Sequence, residues 1–262
     1  MRRFTAEYLE TTREGMWEDS RSALADLALD SRERVLDVGA GTGELTRVLR
    51  AETAGEVVAL DADRELLEHV AAPRALGDAT RLPFRTGSFD LVVCQALLVN
   101  LPDPVEALEE FARVSHDRVA VVEPDNSAVT IESTVDGESA LAERARARYF
   151  DGVDTDVTMG EASDLFAAAG LDVIAVEQYN HERITEPPYS EQALESIRRK
   201  ASGAGIDTDR ETILAGETTP EEFDALREQW RAIGREAVEQ LQDEQYRRTE
   251  TIPFYVTVGT VG

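Results

Sequence analysis

Ten residues, Val35-Leu36-Asp37-Val38-Gly39-Ala40-Gly41-Thr42-Gly43-Glu44, join a short apolar run to a glycine-rich turn and a helix start. Glycine at 39, 41 and 43 permits positive φ and lets backbone N–H groups approach a ligand closely. A dinucleotide fingerprint would place its third glycine at 44, where Glu44 stands instead. A carboxylate facing a pyrophosphate is electrostatically wrong, and no Lys or Arg in the turn offsets it. The turn therefore suits a ligand with cationic character. A second apolar run ends Val57-Val58-Ala59-Leu60-Asp61-Ala62-Asp63, and Asp61 follows Gly39 by 22 residues. An acid at that strand tip can accept hydrogen bonds from both hydroxyls of a ribose. Asp63 is the better placed of the two to cap the helix that follows.

These residues need a scaffold, and the apolar pattern supplies one. Arg34–Val38, Glu56–Leu60, Ala75–Leu76, Phe89–Cys94 and Arg118–Glu123 read as strands, with helices at Glu44–Ala51, at Asp63–Ala71 and after Asp103-Pro104-Val105-Glu106. Short apolar strands alternating with helices argue for a parallel sheet covered on both faces. Residues 3–29 read as helices anchored by Phe4, Tyr8, Trp17, Leu24 and Leu27. Beyond residue 127 the pattern predicts helices at 137–150 and Gly160–Ala169, then a strand at Leu171–Tyr179. About seventy mostly helical residues follow, and then a last strand at Ile252–Val258. Thr208–Glu211 and Thr219-Pro220-Glu221-Glu222 have the spacing of capping boxes. The second opens a long helix with Phe223, Leu226, Trp230, Ile233, Val238 and Leu241 on one stripe.

Composition limits the partners. The chain has 262 residues with 27 basic and 53 acidic side chains, a formal charge of −26, and Lys200 is its only lysine. In dilute salt such charge repels nucleic acid and anionic membrane. Spread along the whole sequence, with almost no lysine, it resembles the composition of extreme halophiles, whose molar salt screens the repulsion. No apolar run is long enough to span a bilayer, so the expectation is a cytoplasmic protein. A single cysteine, Cys94, excludes an internal disulfide framework and a cysteine-rich zinc site.

Further along the chain stand Gly77-Asp78-Ala79-Thr80-Arg81-Leu82-Pro83-Phe84 and Ser88-Phe89-Asp90-Leu91-Val92-Val93. Together with Asp37–Gly43 and Asp61 they resemble the class I S-adenosylmethionine-dependent methyltransferases, of which the chain reads as a halophilic, archaeal member. The resemblance is close over residues 34–125 and looser for 160–179 and 252–258. It implies an α/β fold: a Rossmann-like, doubly wound sheet of seven strands, the last antiparallel, with S-adenosyl-L-methionine at the carboxyl ends of the central strands. By position it implies cofactor contacts from Asp37, Gly39, Ala40, Gly41 and Gly43 around the methionine part, and from Asp61 and Ala62 at the ribose. Asp78 and Ala79 would face the adenine, and Gln95 would sit beside the cofactor. A Pro-Gly-Gly turn common before strand five is replaced by Ser115-His116-Asp117-Arg118, on the far side of the sheet.

Methyl transfer from a sulfonium needs alignment, exclusion of water and, for many acceptors, a proton acceptor. Glu123, with Asp125 and Asn126, ends strand five near the expected acceptor; His181, with Asn180, follows strand six on the same face. Glu123 and His181 are thus the candidate catalytic groups, while His116 and His69 fall elsewhere. Tyr8, Trp17, Asn100, Asn126, Tyr149 and Tyr189 are candidates to meet the acceptor. Glu186-Pro187-Pro188-Tyr189 imitates a motif of amino-methylating enzymes that belongs after strand four, where this chain has Cys94-Gln95-Ala96-Leu97. Cys94 reads as a core cysteine rather than a nucleophile, and Asp125-Asn126 lacks the second acid of a metal site, so no metal is expected.

The domain reading is an N-terminal helical cap (1–33), a cofactor-binding domain (34–179 with 250–262) and a helical insertion (180–249) serving as lid or dimer contact. The expected activity is methyl transfer to a small-molecule acceptor. The alternatives are a non-catalytic cofactor- or protein-binding member of the fold, an RNA methyltransferase and an NAD-dependent dehydrogenase. Nucleic acid and membrane are not expected partners; a homodimer is possible on this reading.

Overall fold

The computed structural model describes residues 5–13, 15–18, 20–153 and 159–262. Phe4 of the N-terminal anchors lies outside them, as does the side chain of Tyr8. The chain forms two compact units, one of residues 1–127, 158–181 and 253–262, the other of 128–157 and 182–252.

In the first unit, α1 (Ala6–Arg13) precedes β1 (Arg34–Val38), α2 (Glu44–Glu52), β2 (Glu56–Asp61), α3 (Arg64–Leu67) and β3 (Arg74–Leu76). Then come β4 (Phe89–Gln95), α4 (Pro104–Val114) and β5 (Ser115–Pro124). Neighbours in the order β3-β2-β1-β4-β5 are all parallel. The central strands are buried on both faces, which is why they read as continuous apolar runs: Val35, Leu36, Leu91–Cys94 and Val119–Val122 are fully enclosed. Helix α4 lays Ala107, Leu108, Phe111 and Val114 on this core. Burial of each such aliphatic or aromatic side chain stabilises by about 1.5–3 kcal/mol. The helix starts where the sequence predicts, with Asp103 accepting the Glu106 N–H at 3.1 Å and Pro104 in the first turn.

Later in the chain are β6 (Thr130–Ser133), α5 (Glu138–Asp151), α6 (Ser163–Ala168), β7 (Asp172–Thr185) and β8 (Arg248–Thr260). The last strand is antiparallel to β5, with Glu123 opposite Tyr255, and β7 also pairs with it. The Rossmann-like α/β sheet expected from sequence is present, with one strand more than seven. The addition is β6, four residues antiparallel to the start of β8. Its pattern is too short and too polar to register as a strand.

The second unit is mainly helical, with α7 (Glu191–Ser202), α8 (Ala204–Asp207), α9 (Arg210–Ala215) and α10 (Pro220–Gln242). Leu141, Ile206, Ile213, Phe223 and Leu226 form one cluster; Val135, Ile197, Ala237 and Tyr246 form another. The α10 stripe thus packs on neighbouring helices of its own unit. Gly234 is the point of closest approach: a Cβ there would lie 2.3 Å from the Ala201 nitrogen in α7. The Thr219–Glu222 capping box forms. The Thr208–Glu211 box does not, because Thr208 donates its hydroxyl back to the Gly205 carbonyl and α9 starts after Asp209. Lys200 pairs with Glu138, which also accepts from the Tyr246 and Ser133 hydroxyls. Burial of that ion pair is tolerated because the carboxylate is fully hydrogen-bonded.

No helix among the described residues is long and apolar enough to cross a membrane. No group of three or more potential metal ligands occurs among them.

Candidate functional site

A cavity of about 690 Å³ opens in the first unit at the carboxyl ends of β1, β2 and β4, within the range of small-ligand sites. Val38, Gly39 and Gly41 line it after β1, Leu60 to Asp63 after β2, Gly77 and Ala79 after β3. Ala96, Leu97 and Asn100 line it after β4, and Leu9 and Arg13 come from α1.

The glycine turn has the geometry its sequence predicts. Gly39 and Gly41 have φ of +71° and +54°, in the left-handed region. A Cβ on Gly39 would sit 2.9 Å from Leu97 Cδ1, and one on Gly41 2.9 Å from Leu9 Cδ1. The turn is held from behind. Asp37 is buried and accepts the Thr46 hydroxyl, fastening β1 to α2, and burial raises its pKa to about 6. Asp61 Oδ2 accepts the Gly41 N–H at 2.8 Å and Oδ1 accepts the Asp63 N–H at 2.8 Å. Asp63 caps α3 by accepting the Glu65 N–H.

The structure brings Gly39, Gly41, Asp61, Ala62, Ala79 and Asn100 together around the cavity. Asp37, Ala40 and Gly43 stand behind that lining, and Gly43 immediately precedes α2 as its N-cap. Asp78 is exposed and turns its carboxylate to Thr80, so Gly77 and Ala79 meet the cavity in its place.

Five expectations, one about the cofactor and four about the acceptor, require correction. Gln95 does not face the cavity: it is buried, donating to Met16 Sδ at 2.7 Å and accepting from Trp17 Nε1 at 3.2 Å. Trp17, 2% exposed, is therefore core, tilted against Tyr179 with centroids 5.3 Å apart. Glu123 is fully enclosed and accepts backbone N–H groups of Leu97, Leu98 and Val99 at 3.0, 2.9 and 3.4 Å, so it touches no ligand space. Tyr149 packs in the helical cluster of the second unit. There Tyr189 donates to the Tyr246 carbonyl at 3.1 Å.

His181 is buried beside the Thr12 carbonyl, with Nε2 at 3.2 Å, and meets Phe254 edge-on. Asn126 opens a short turn ordered by Asp125, which accepts from Ser127, and the cavity lining includes neither. His116, at the amino end of β5, is exposed on the opposite side of the sheet. Cys94 is buried, and burial raises its thiol pKa.

Sequence reasoning missed Arg13. Its guanidinium lines the cavity, with Nη1 3.5 Å from where a Gly41 Cβ would stand. Burial lowers its pKa, while Asp37, Glu123, Asp61 and Glu44 act in the opposite sense. Among the described residues no acceptor takes a hydrogen bond from it. The turn does meet a cation, then, but from a helix 28 residues upstream. Glu44 is itself paired with Arg47, which also donates to the Thr42 carbonyl at 3.0 Å. Nothing local in the sequence marks Arg13 among 26 arginines.

Residues 36–122 match the family described as a methyltransferase domain. A demethylmenaquinone methyltransferase of Mycobacterium sp. (strain KMS) is 42% identical over 101 residues, covering 36% of this chain and 42% of that protein. One of the same name from Lactiplantibacillus plantarum is 36% identical over 107 residues, covering 36% and 45%. The chain thus spans less than half the length of these curated relatives. Among solved structures, the YcgJ protein of Bacillus subtilis is similar with TM-score 0.52 at 17% identity, over 92% of this chain and 99% of that one. Phosphoethanolamine N-methyltransferase 2 of Haemonchus contortus, in complex with phosphomonomethylethanolamine and S-adenosylhomocysteine, gives 0.50 at 16%, over 98% and 58%. At such identities the two structures speak for the fold alone. With the sheet order, the glycine turn ahead of α2 and the acid closing β2, residues 36–122 are similar to the methyltransferase domain family, set in a Rossmann-like α/β fold.

Proposed function

We propose that the chain binds S-adenosylmethionine in the cavity of its first unit and transfers the methyl group to a small-molecule acceptor. The observation that carries this reading is that Asp61 and Arg13 both line the cavity next to Gly41. Each Asp61 oxygen already accepts one backbone N–H and keeps a lone pair for a ribose hydroxyl. Arg13 supplies the partner that the methionine carboxylate requires, at the turn where Gly39 and Gly41 allow close approach. The apolar floor of Leu60, Ala79 and Leu97 suits an adenine face.

Bound S-adenosylmethionine supplies a methyl already activated on a sulfonium. The protein's part is to fix the donor, exclude water and admit the acceptor in line. Among the described residues the cavity lining contains no histidine, cysteine or tyrosine, so the reading assigns no general base. The relatives named demethylmenaquinone methyltransferase support a small molecule as acceptor, and a formal net charge of −26 opposes a polyanion.

Incubation of the full chain in molar potassium chloride with methyl-labelled cofactor and a cell extract tests this. The extract would be separated afterwards into small-molecule, RNA and protein fractions. Label is expected in the small-molecule fraction. Label confined to RNA or protein would overturn the acceptor class, and cofactor binding without transfer would identify a non-catalytic member of the fold.

A further inference from the structure

Glu123 is an acid that the proposed reaction does not use, yet it is wholly enclosed at the tip of a central strand. Leaving a carboxylate in such a place is costly unless its lone pairs are filled. They are filled by backbone: one oxygen accepts the N–H groups of Leu97 and Leu98, the other that of Val99. Cys94 Sγ lies 3.8 Å away. The three amides belong to one tight turn between β4 and α4, and that turn contributes Ala96, Leu97 and Asn100 to the cavity.

The same turn stores backbone strain. Ala96 has φ of +48°, a conformation that residues with a Cβ rarely adopt. Such a conformation persists only where its surroundings over-determine it. The surroundings here are the Ala96 N–H on the Val122 carbonyl at 2.8 Å, Asn100 Nδ2 on the Ala96 carbonyl at 2.9 Å, and Glu123 on the next three amides. The result sets Leu97 against Gly39, where an added Cβ would meet its Cδ1 at 2.9 Å. Released, the turn would move the wall of the cavity that faces the glycine turn.

We infer that Glu123 is a positioning residue for the cofactor: its carboxylate holds the Ala96–Asn100 turn in the shape that completes the cavity, through three backbone amides and without touching ligand. This rests on the proposal that the cavity takes S-adenosylmethionine. Only the ionised carboxylate can accept all three amides at full strength, because a protonated one turns an oxygen into a donor. Burial raises the Glu123 pKa to about 7, with the amides acting against that rise. Its titratable neighbours are Arg13 on α1, on which it acts electrostatically, and the neutral Cys94 thiol on β4, whose pKa is raised by burial and then by Glu123 itself together with Asp37 on β1. Tyr255 faces it in register on β8.

Two opposite pH trends follow. Because the folded-state pKa lies above the ordinary one, the stability tied to protonated Glu123 is complete at low pH and declines as pH rises toward 7. Cofactor affinity runs the other way, since the competent fraction grows as the carboxylate ionises. From pH 8 to pH 6 the ionised fraction of a group titrating at about 7 falls about tenfold, and affinity falls with it.

The test is calorimetric titration of the full chain with S-adenosylhomocysteine between pH 6 and 8.5, in wild type and Glu123→Gln. Wild-type affinity is expected to rise about tenfold across the range. Glu123→Gln is expected to bind about tenfold more weakly at pH 8 and to lose most of the pH dependence, Asp37 supplying whatever remains near pH 6. If the glutamine variant keeps wild-type affinity and profile, Glu123 is a structural residue only and the inference fails. Should that variant not fold, the wild-type profile still decides: affinity independent of pH overturns the inference. A wild type with no affinity at any pH would instead overturn the cofactor reading on which it rests.

Discussion

Asp61 illustrates how one side chain serves fold and ligand together. Its two oxygens order the Gly41 and Asp63 amides, and the residue lines the cavity with acceptor capacity left over. Asp61→Ala is therefore expected to lower S-adenosylhomocysteine affinity about 10–100-fold, the equivalent of about 1.5–3 kcal/mol for hydrogen bonds to a charged group. The loss of two backbone anchors should also lower the melting temperature, and parallel calorimetry and thermal unfolding would check both. Arg13 is separable by ligand chemistry. Wild type should prefer S-adenosylhomocysteine to methylthioadenosine, which lacks the amino-acid part, and Arg13→Met should erase most of that preference while leaving methylthioadenosine affinity within about threefold. An unchanged preference would remove Arg13 from the carboxylate end. Asp61 was legible from its spacing after the glycines. Arg13, Gln95 and Glu123 were not, because tertiary packing decides which way each side chain turns.

Elements were more legible than side-chain directions. The apolar strands of the parallel sheet stood out because both their faces are buried, and the α4 and α10 starts stood out because their caps are local chemistry. What escaped is short or contextual: β6 has four residues, and Thr208 spends its hydroxyl on a preceding carbonyl instead of the α9 start. The α7–α10 contact turns on Gly234, whose missing Cβ admits the Ala201 backbone. Gly234→Ala should destabilise by about 1–3 kcal/mol through overpacking, despite the better helix propensity of alanine. Urea unfolding would measure it, and a neutral or stabilising result would mean the helices separate there at little cost. The Thr219→Ala variant, which removes a cap without crowding anything, should cost about 1 kcal/mol.

At the scale of the whole molecule, charge sets the working conditions. Between molar and 0.1 M salt the Debye length grows from about 3 to about 10 Å, so repulsion among 53 acidic groups extends much further. The melting temperature is accordingly expected to rise with potassium chloride from 0.1 M to several molar, followed by circular dichroism; a melting point independent of salt would remove the halophilic reading. The central claim is narrower, that the glycine turn, Asp61 and Arg13 together make an S-adenosylmethionine site. Calorimetric titration of the full chain with S-adenosylhomocysteine in molar salt, beside NADH as control, tests it most directly. The account expects one site of micromolar affinity or better, about −8 kcal/mol, and no binding of NADH. Binding of NADH with none of S-adenosylhomocysteine at up to millimolar concentration would contradict it.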